Sequence, residues 1–469
     1  MRKIAAVVWH SHATTLRRAA AVVAGELAVK VYSARLLDEG KEDFAAALKD
    51  LAAAELVFFY RSAGETIWAE LEAAAEGFRQ PVVCVAHDPA LWGLSTVPTK
   101  VVARCYEYIV QGGVENFARM LRYLAATVLG EPLAVEEPLV FPWEGIYHPD
   151  APELFAAVED YLSWYGKPGP YVGVLFARNQ WVNGTLAVED ALIRALEARG
   201  LGVIPVFCYS LKDTGLGTKG SGEVVREFFF DPAGKPRIAA LVKLLAFFLA
   251  ARARTDDFIR EDVAASGVEL LKKLGVPVFQ PVVSFYKSVD EWAADPQGLG
   301  QDIAWTVALP EFEGVIEPVF LGAARREGDL EIRTPVPERV ERIADRVTAW
   351  VRLRDKPVAE RRVAFILHNN PCASVEATVG GAAHLDSLES VARILQRLRE
   401  ESYVVEAPAS GKELIETSMA RKAISEFRWT TADEIVAKGG ALHLMPVEEY
   451  LEWFDTLSPK VKERLTEAW

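Results

Sequence analysis

The sequence predicts an α/β protein with several largely parallel sheets, flanked by helices and spread over more than one domain. Three observations lead there. A strand, a polar loop and a helix follow one another three times, starting at Lys3–Trp9, Tyr171–Phe176 and Arg362–Leu367. That order opens a parallel α/β unit, because parallel strands need a crossover that a helix supplies. The chain has 469 residues, enough for about three domains. Hydrophobic residues make up 51% of it, which fills large cores and excludes global disorder.

In the first unit Lys3–Trp9 is a short apolar run, His10-Ser11-His12 is its polar loop and Leu16–Leu27 is helical. Leu56–Tyr60 and Pro81–Ala86 add two buried strands. Glu131–Pro149 is Pro-rich and aperiodic, and reads as a link. The second unit runs from Tyr171–Phe176 through Arg178-Asn179-Gln180-Trp181 into the helix Leu186–Arg199 and the strand Val203–Tyr209. Val276–Val283 and Thr306–Leu309 look like further strands. Arg325–Pro337 is charged, ends in Pro335 and Pro337, and marks a boundary. The helix Val340–Leu353 leads to the third unit. That unit holds the strand Arg362–Leu367, the loop His368-Asn369-Asn370-Pro371, the helix Leu388–Glu401 and the strand Tyr403–Glu406. Two strands are few for an α/β domain, so it reads as unfinished. Thr431–Trp469 is a helical tail with Tyr450, Trp453 and Phe454 as anchors. The expected domains are 1–130, an N-terminal α/β domain; 131–165, a Pro-rich linker and helix; 166–335, a second α/β domain; and 336–469, a helix with an incomplete third α/β domain and helical tail.

The net charge of -14 argues against non-specific binding to nucleic acid or to an anionic membrane surface. Cys84, Cys105, Cys208 and Cys372 are scattered and form no C-x-x-C pair, so neither a disulfide framework nor a structural zinc site is expected. The longest apolar stretch, Ile238–Ala251, is broken by Lys243 and is too short to span a bilayer. Met1–Trp9 is too short for a signal-peptide core. A cytoplasmic protein is expected.

Ligands in parallel sheets bind beyond the carboxyl ends of the strands, where the three polar loops sit. A long link separates the first two loops, so they are not expected to meet in one small closed pocket. Ala308–Pro318 places Glu311, Glu313 and Glu317 in an apolar run. On an extended backbone the three carboxylates share one side, with Gly314 and Pro318 shaping a loop. They meet a metal, a base or a moving proton there, or else water. His10 and His12, with Thr14, Arg17 and Arg18, either hold a metal or anion or cap a helix. Arg178, Asn179, Trp181 and Asn183 offer a fork for a carboxylate and a flat face for a ring, or anchor a loop. His368, Asn369 and Asn370, with Glu376 and His384, bind a metal or ligand, or cap a helix. Gly215-Leu-Gly217-Thr-Lys-Gly220 is separated from its strand by Leu211–Thr214, so it reads as a mobile lid or surface loop rather than a dinucleotide site. No Gly-x-x-x-x-Gly-Lys-Ser/Thr phosphate loop occurs.

Taken in order, several segments resemble one family. They are Val57–Trp68 with Ser62-Ala63-Gly64-Glu65, Gln111-Gly112-Gly113-Val114-Glu115-Asn116, Gly145-Ile146-Tyr147-His148-Pro149 and Gly173-Val174-Leu175-Phe176 with Trp181 and Gly184. Val276–Gln280 and Val307–Glu311 with Gly314 follow, then His368-Asn369, Gly380, Leu385-Asp386-Ser387 and Ser390. Together they resemble the large subunit of the ATP-dependent cobaltochelatase and magnesium chelatase family. The resemblance implies a tetrapyrrole substrate and a divalent metal, cobalt or magnesium, inserted into it. It also implies two partners: an AAA+ ATPase subunit that hydrolyses ATP, and a second accessory subunit. The short N-terminal region resembles the cobalt branch, with insertion into a corrin-type ring in cobalamin biosynthesis. The alternative is the magnesium branch, with protoporphyrin.

Family members are longer and carry a His-x-Gly-x-His-Gly motif with a following Glu, which these residues lack. The expectation is an N-terminal portion that alone hydrolyses no ATP and inserts no metal. A non-catalytic tetrapyrrole-binding or scaffold module is the rival. Insertion replaces two ring N–H protons by a metal, so bases, loose metal ligands and a clamp on a flat ring are required. Glu311 and His368 are the expected catalytic pair, and Arg178, Asn179, Trp181, Asn369 and Asn370 the expected substrate contacts.

Overall fold

Along the first strands, side chains alternate between two cores, which makes a sheet covered on both faces. Ile4, Ala6 and Val8 enter one core, and Ala5 and Val7 enter the other. Leu56, Phe58 and Tyr60 repeat the alternation against Val57 and Phe59. This is a computed structural model describing residues 1–61, 64–249, 261–328, 330–368, 379–381, 384–421 and 431–468. The chain forms two compact units, Met1–Arg352 and Leu353–Trp469.

The first sheet of Met1–Arg352 holds β1 (Arg2–Val8), β2 (Leu27–Ser33), β3 (Leu56–Arg61) and β4 (Val82–Ala86). Their order is β2-β1-β3-β4, all parallel. The second holds β5 (Glu144–Ile146), β6 (Tyr171–Ala177), β7 (Gly202–Cys208), β8 (Ala240–Lys243) and β9 (Val278–Phe279), ordered β5-β7-β6-β8-β9. Only β5 runs antiparallel among these five. Its core includes Val340, Ile343, Ala344, Val347 and Val351 of the helix Pro337–Asp355. A third, smaller sheet joins β10 (Val282–Ser288), β11 (Phe320–Glu327) and β12 (Leu330–Pro335). β10 and β11 are parallel, and β11 and β12 form an antiparallel hairpin.

The largely parallel α/β class therefore holds, with corrections at five segments. Thr306–Leu309 is helical: Ala304–Ala308 is a π-helical turn that runs into the helix Leu309–Glu311. A short apolar run cannot be assigned to strand or helix by periodicity. Here Thr306 Oγ1 donates to the Asp302 carbonyl at 2.7 Å, a helical bond. Arg325–Pro337, read as a boundary, makes most of the β11–β12 hairpin. Val276–Val283 splits into β9 and the start of β10.

In Leu353–Trp469 neither Arg362–Leu367 nor Tyr403–Glu406 is a strand. A strand needs a paired neighbour, and among the described residues none pairs with them; Ile366 is 95% exposed. The helices Ser387–Glu400 and Val447–Asp455 form as the pattern suggests.

The Pro-rich segment after residue 130 lacks regular structure up to β5, yet it is strapped down. Asn116 donates to the carbonyls of Gly112 and Leu139 at 2.9 Å each, and accepts from Leu139 N at 2.8 Å. Gln111 accepts from Phe141 N at 3.1 Å. Between them Gly113 has φ +85°, and a Cβ there would lie 3.1 Å from Val182 Cγ1. The Gln111–Asn116 motif thus makes the strap. The Gly215–Gly220 loop is also pinned: Asp213 accepts from Gly215 N and Leu216 N, and Thr218 Oγ1 donates to the Leu211 carbonyl at 2.6 Å.

Candidate functional site

A cavity of about 770 Å³ opens in Met1–Arg352 beyond the carboxyl ends of the parallel strands. Trp9–Ser11, Thr14 and Thr15 reach it after β1. Asn179, Gln180, Asn183 and Thr185 reach it after β6, and Leu244, Ala246 and Phe247 after β8. The third sheet and the π-turn close the wall with Ser284, Phe285, Tyr286, Asp302, Trp305, Glu331 and Arg333. The first two polar loops thus line one open cavity through His10, Ser11, Asn179 and Gln180, while His12 and Trp181 do not line it. The strapped linker and direct bonds between the layers explain this. Thr14 Oγ1 accepts from Glu331 N at 3.0 Å, Arg18 donates to the Asn183 carbonyl at 3.2 Å, and Lys41 meets Glu291 at 2.7 Å.

The buried heart of the wall is His10. It opens the helix His10–Val22, and its Nδ1 lies 2.8 Å from Ser33 Oγ at the end of β2. Its Nε2 lies 2.6 Å from Glu331 Oε2 on β12 and also contacts Arg35 Nη2. The Arg35 guanidinium donates to the Phe285 carbonyl and sits 5.1 Å from the Phe285 ring. Burial lowers the Arg35 pKa against the pull of Glu331 and Glu39. Its Nε is buried without a hydrogen-bond partner. Burial works to keep Glu331 protonated, but the bond from His10 and the charges of His10 and Arg35 outweigh it and hold the carboxyl below its usual range. Arg333, two residues on and on the same strand face, pairs with fully buried Glu189. Asp302 is 1% exposed; Phe285 N donates to Oδ1 at 2.9 Å and Ser284 Oγ donates to Oδ2. Aromatic faces surround these groups. Trp305 and Phe247 have ring centroids 5.4 Å apart.

Of the residues read from sequence, Asn179 lines the cavity. Trp181 does not line it; its ring stacks on Phe207 at 4.7 Å. Arg178 is 4% exposed and spends its guanidinium on the Pro142, Phe141 and Val110 carbonyls and on the Trp143 ring, 4.4 Å away. Burial brings its pKa down to about 10. His12 faces away from His10, because residues two apart on a helix do not share a face. It packs on Tyr60 and Phe117, and burial, with the nearby His87, takes its pKa down to about 3.

The three glutamates of Ala308–Pro318 diverge. Glu311 is exposed and ends a helix rather than a strand. Glu313 is buried and accepts from Leu249 N at 2.7 Å, and Glu317 pairs with Arg346. His368, in Leu353–Trp469, is exposed, ends no strand, and its carbonyl accepts from Gly380 N at 2.7 Å. Asn369, Asn370 and Glu376 lie outside the described residues. Among the described residues no group of three or more His, Cys, Asp or Glu could hold a metal ion.

The sequence reading missed Arg35, Asp302, Glu331 and Arg333. Glu331-Ile332-Arg333 carried a usable signal, with two charges at strand spacing on one face.

Comparison with known proteins places these features in a family. The sequence model of the CobN/Magnesium Chelatase family matches residues 106–469. An uncharacterised protein of Methanocaldococcus jannaschii is 42% identical over 100% of this chain and 36% of its own length. The aerobic cobaltochelatase subunit CobN of Pseudomonas aeruginosa is 31% identical over 70% of this chain and 25% of its own. The chloroplastic magnesium-chelatase subunit ChlH of Oryza sativa subsp. indica is 29% identical over 66% of this chain and 22% of its own. The chain therefore spans about a third or less of the relatives it matches. The solved catalytic subunit of cobaltochelatase from Mycobacterium tuberculosis shares the fold, with a TM-score of 0.60 and 23% identity over 100% of this chain and 36% of that one. The chain belongs to the CobN/magnesium chelatase family.

Proposed function

We propose that this chain forms part of the large subunit of an ATP-dependent metal chelatase, and that the cavity in Met1–Arg352 receives the tetrapyrrole. The cavity carries the reading. Its volume of about 770 Å³ lies in the range of small-molecule sites, roughly 300–1,000 Å³. Its wall combines aromatic faces for a flat ring with guanidinium, amide and carboxylate groups for the ring's edge and centre. Asn179 is a ring contact in this reading, while Arg178 and Trp181 hold the wall from behind. Glu311, His368, Asn369 and Asn370 enter it on the resemblance alone.

The metal is substrate: cobalt, inserted into a corrin-type ring, with magnesium and protoporphyrin as the alternative. ATP hydrolysis falls to an AAA+ partner, since these 469 residues hold no phosphate loop, and a second accessory subunit completes the assembly. Metal insertion requires that assembly, and the chain alone is inactive. The reaction is placed in the cytoplasm. Buried free thiols at Cys84, Cys105 and Cys208 support a reducing compartment. No helix among the described residues is long and apolar enough to cross a membrane.

The test is ring binding by the purified chain, read as quenching of tryptophan emission. A metal-free corrinoid and a free-base porphyrin are titrated separately. Saturable one-to-one binding is expected, weakened about tenfold by Trp305→Ala. Absence of saturable binding to either ring would overturn the reading.

A further inference from the structure

We propose that Glu331 is the carboxylate that faces the ring nitrogens and accepts their protons, with His10 as its positioning residue; this rests on the reading of the cavity as the tetrapyrrole site. Three observations carry it. Glu331 is held from one side only: Oε2 meets His10 Nε2 at 2.6 Å, whereas Oε1 has no hydrogen-bond partner among the described residues. The Glu331 side chain is 19% exposed against 7% for His10, so the carboxylate is the member of the pair that opens to the cavity it lines. The orientation is fixed from behind. Ser33 Oγ accepts from Leu36 N at 3.4 Å, which leaves its own hydroxyl hydrogen for His10 Nδ1, 2.8 Å away. With Nδ1 accepting that hydrogen, the imidazole proton sits on Nε2 and faces Glu331 Oε2, and Arg35 Nη2 beside it is a contact rather than a hydrogen bond to His10.

The other carboxylates of the wall are committed elsewhere. Asp302 has both oxygens engaged, by Phe285 N and by Ser284; Glu39 pairs with Lys41 at 3.0 Å; Asp38 Oδ1 accepts from Thr66 N and Ile67 N, and Glu65 Oε2 from Trp68 Nε1. The charged groups facing Glu331 are Arg17 from the helix His10–Val22 and Arg35 from the helix Ala34–Asp38. Arg333 lies two residues along β12. These cations favour the ionised carboxylate, which is the form a proton acceptor needs.

The step balances without an oxidant or a reductant. A ring N–H bond breaks, its electron pair stays on nitrogen, and the proton forms an O–H bond at Oε1. The acid returns that proton to water through the cavity mouth, and a second cycle takes the second proton. The nitrogen pairs are then free for the metal.

A carboxylate against the ring nitrogens stabilises the ring's own protonated form, and free-base absorption bands report that form directly. The experiment titrates a free-base porphyrin with carboxylate side chains, bound to the 469-residue chain, from neutral to acid pH. The bound ring should protonate at a pH about one unit above its value in water. Glu331→Gln should remove the rise, and His10→Asn should shrink it. Glu331→Asp keeps the charge but withdraws it by one methylene, so a smaller rise is expected even where Glu331→Gln does not fold. A ring that binds with no rise, or a rise undiminished in Glu331→Asp and Glu331→Gln, overturns the assignment while leaving the cavity reading intact. A chain that binds no ring removes both.

Discussion

His10 and His12 stand two residues apart and have opposite fates, which shows how far a side chain's chemistry depends on the face it occupies. His10 keeps polar partners on both ring nitrogens. His12 sits among Trp9, Tyr60 and Phe117, where its neutral form is strongly favoured. In the unfolded chain His12 takes up a proton below its ordinary value of 6.5, while in the folded chain it resists down to about 3. The unfolded state therefore binds more protons across that window, and folding stability falls as pH drops through it. Relative to His12→Phe, the wild type should lose about 1.4 kcal/mol per pH unit below 6.5. Denaturant melts at pH 7 and pH 5 measure this, and parallel curves for the two proteins would refute it. The sequence put both histidines in one loop at a strand end. It could not tell which would face the cavity, because that depends on where the helix begins: here at His10, directly after β1.

At the scale of elements, the strap across the linker accounts for several residues that the resemblance singled out. Gln111, Asn116 and Arg178 all bind carbonyls or amides of the segment before β5. A guanidinium buried against three carbonyls leaves them unsatisfied when removed. Arg178→Ala should cost about 3 kcal/mol of stability and open residues 131–143 to limited proteolysis. Unchanged stability with weakened ring binding would instead make Arg178 a ligand clamp.

Most strands of the first two sheets were legible, because parallel strands buried on both faces read as apolar runs. β2 was missed because Leu27–Ser33 contains Lys30 and Tyr32 and continues the preceding helical pattern. The β11–β12 hairpin was missed because its charges, Arg325, Arg326, Glu327, Glu331 and Arg333, resemble those of a linker. Two of those charges prove to line the cavity.

At the scale of the molecule, every residue of the cavity wall lies within 9–333. A chain ending after Asp355 keeps that wall and the whole helix Pro337–Asp355 that packs the second core. It should bind the same free-base ring with an affinity within about twofold of the longer chain. Loss of binding on truncation would show that residues 356–469 supply part of the site. The sequence pointed to the strand ends, and two of the three polar loops do line the cavity, but its full wall was not legible. No local pattern marks it, because it is assembled from seven or more short segments whose proximity depends on sheet order and on the strap.

That assembly has a consequence for how the protein is made. A ribosome delivers the chain in order, at roughly 5–20 residues per second. The strands of the first sheet are complete by Ala86, and the helices Thr99–Gln111 and Val114–Val128 that cover one of its faces follow directly. Glu331 and Arg333 emerge almost 250 residues later and supply the final side of the wall. A nascent chain stalled before that hairpin would carry a finished first sheet and the strands of the second, yet have no enclosed place for a ligand. On the proposed reading, ring capture reports only that synthesis has passed the β11–β12 hairpin, and it is withheld from shorter fragments whose first sheet is already folded.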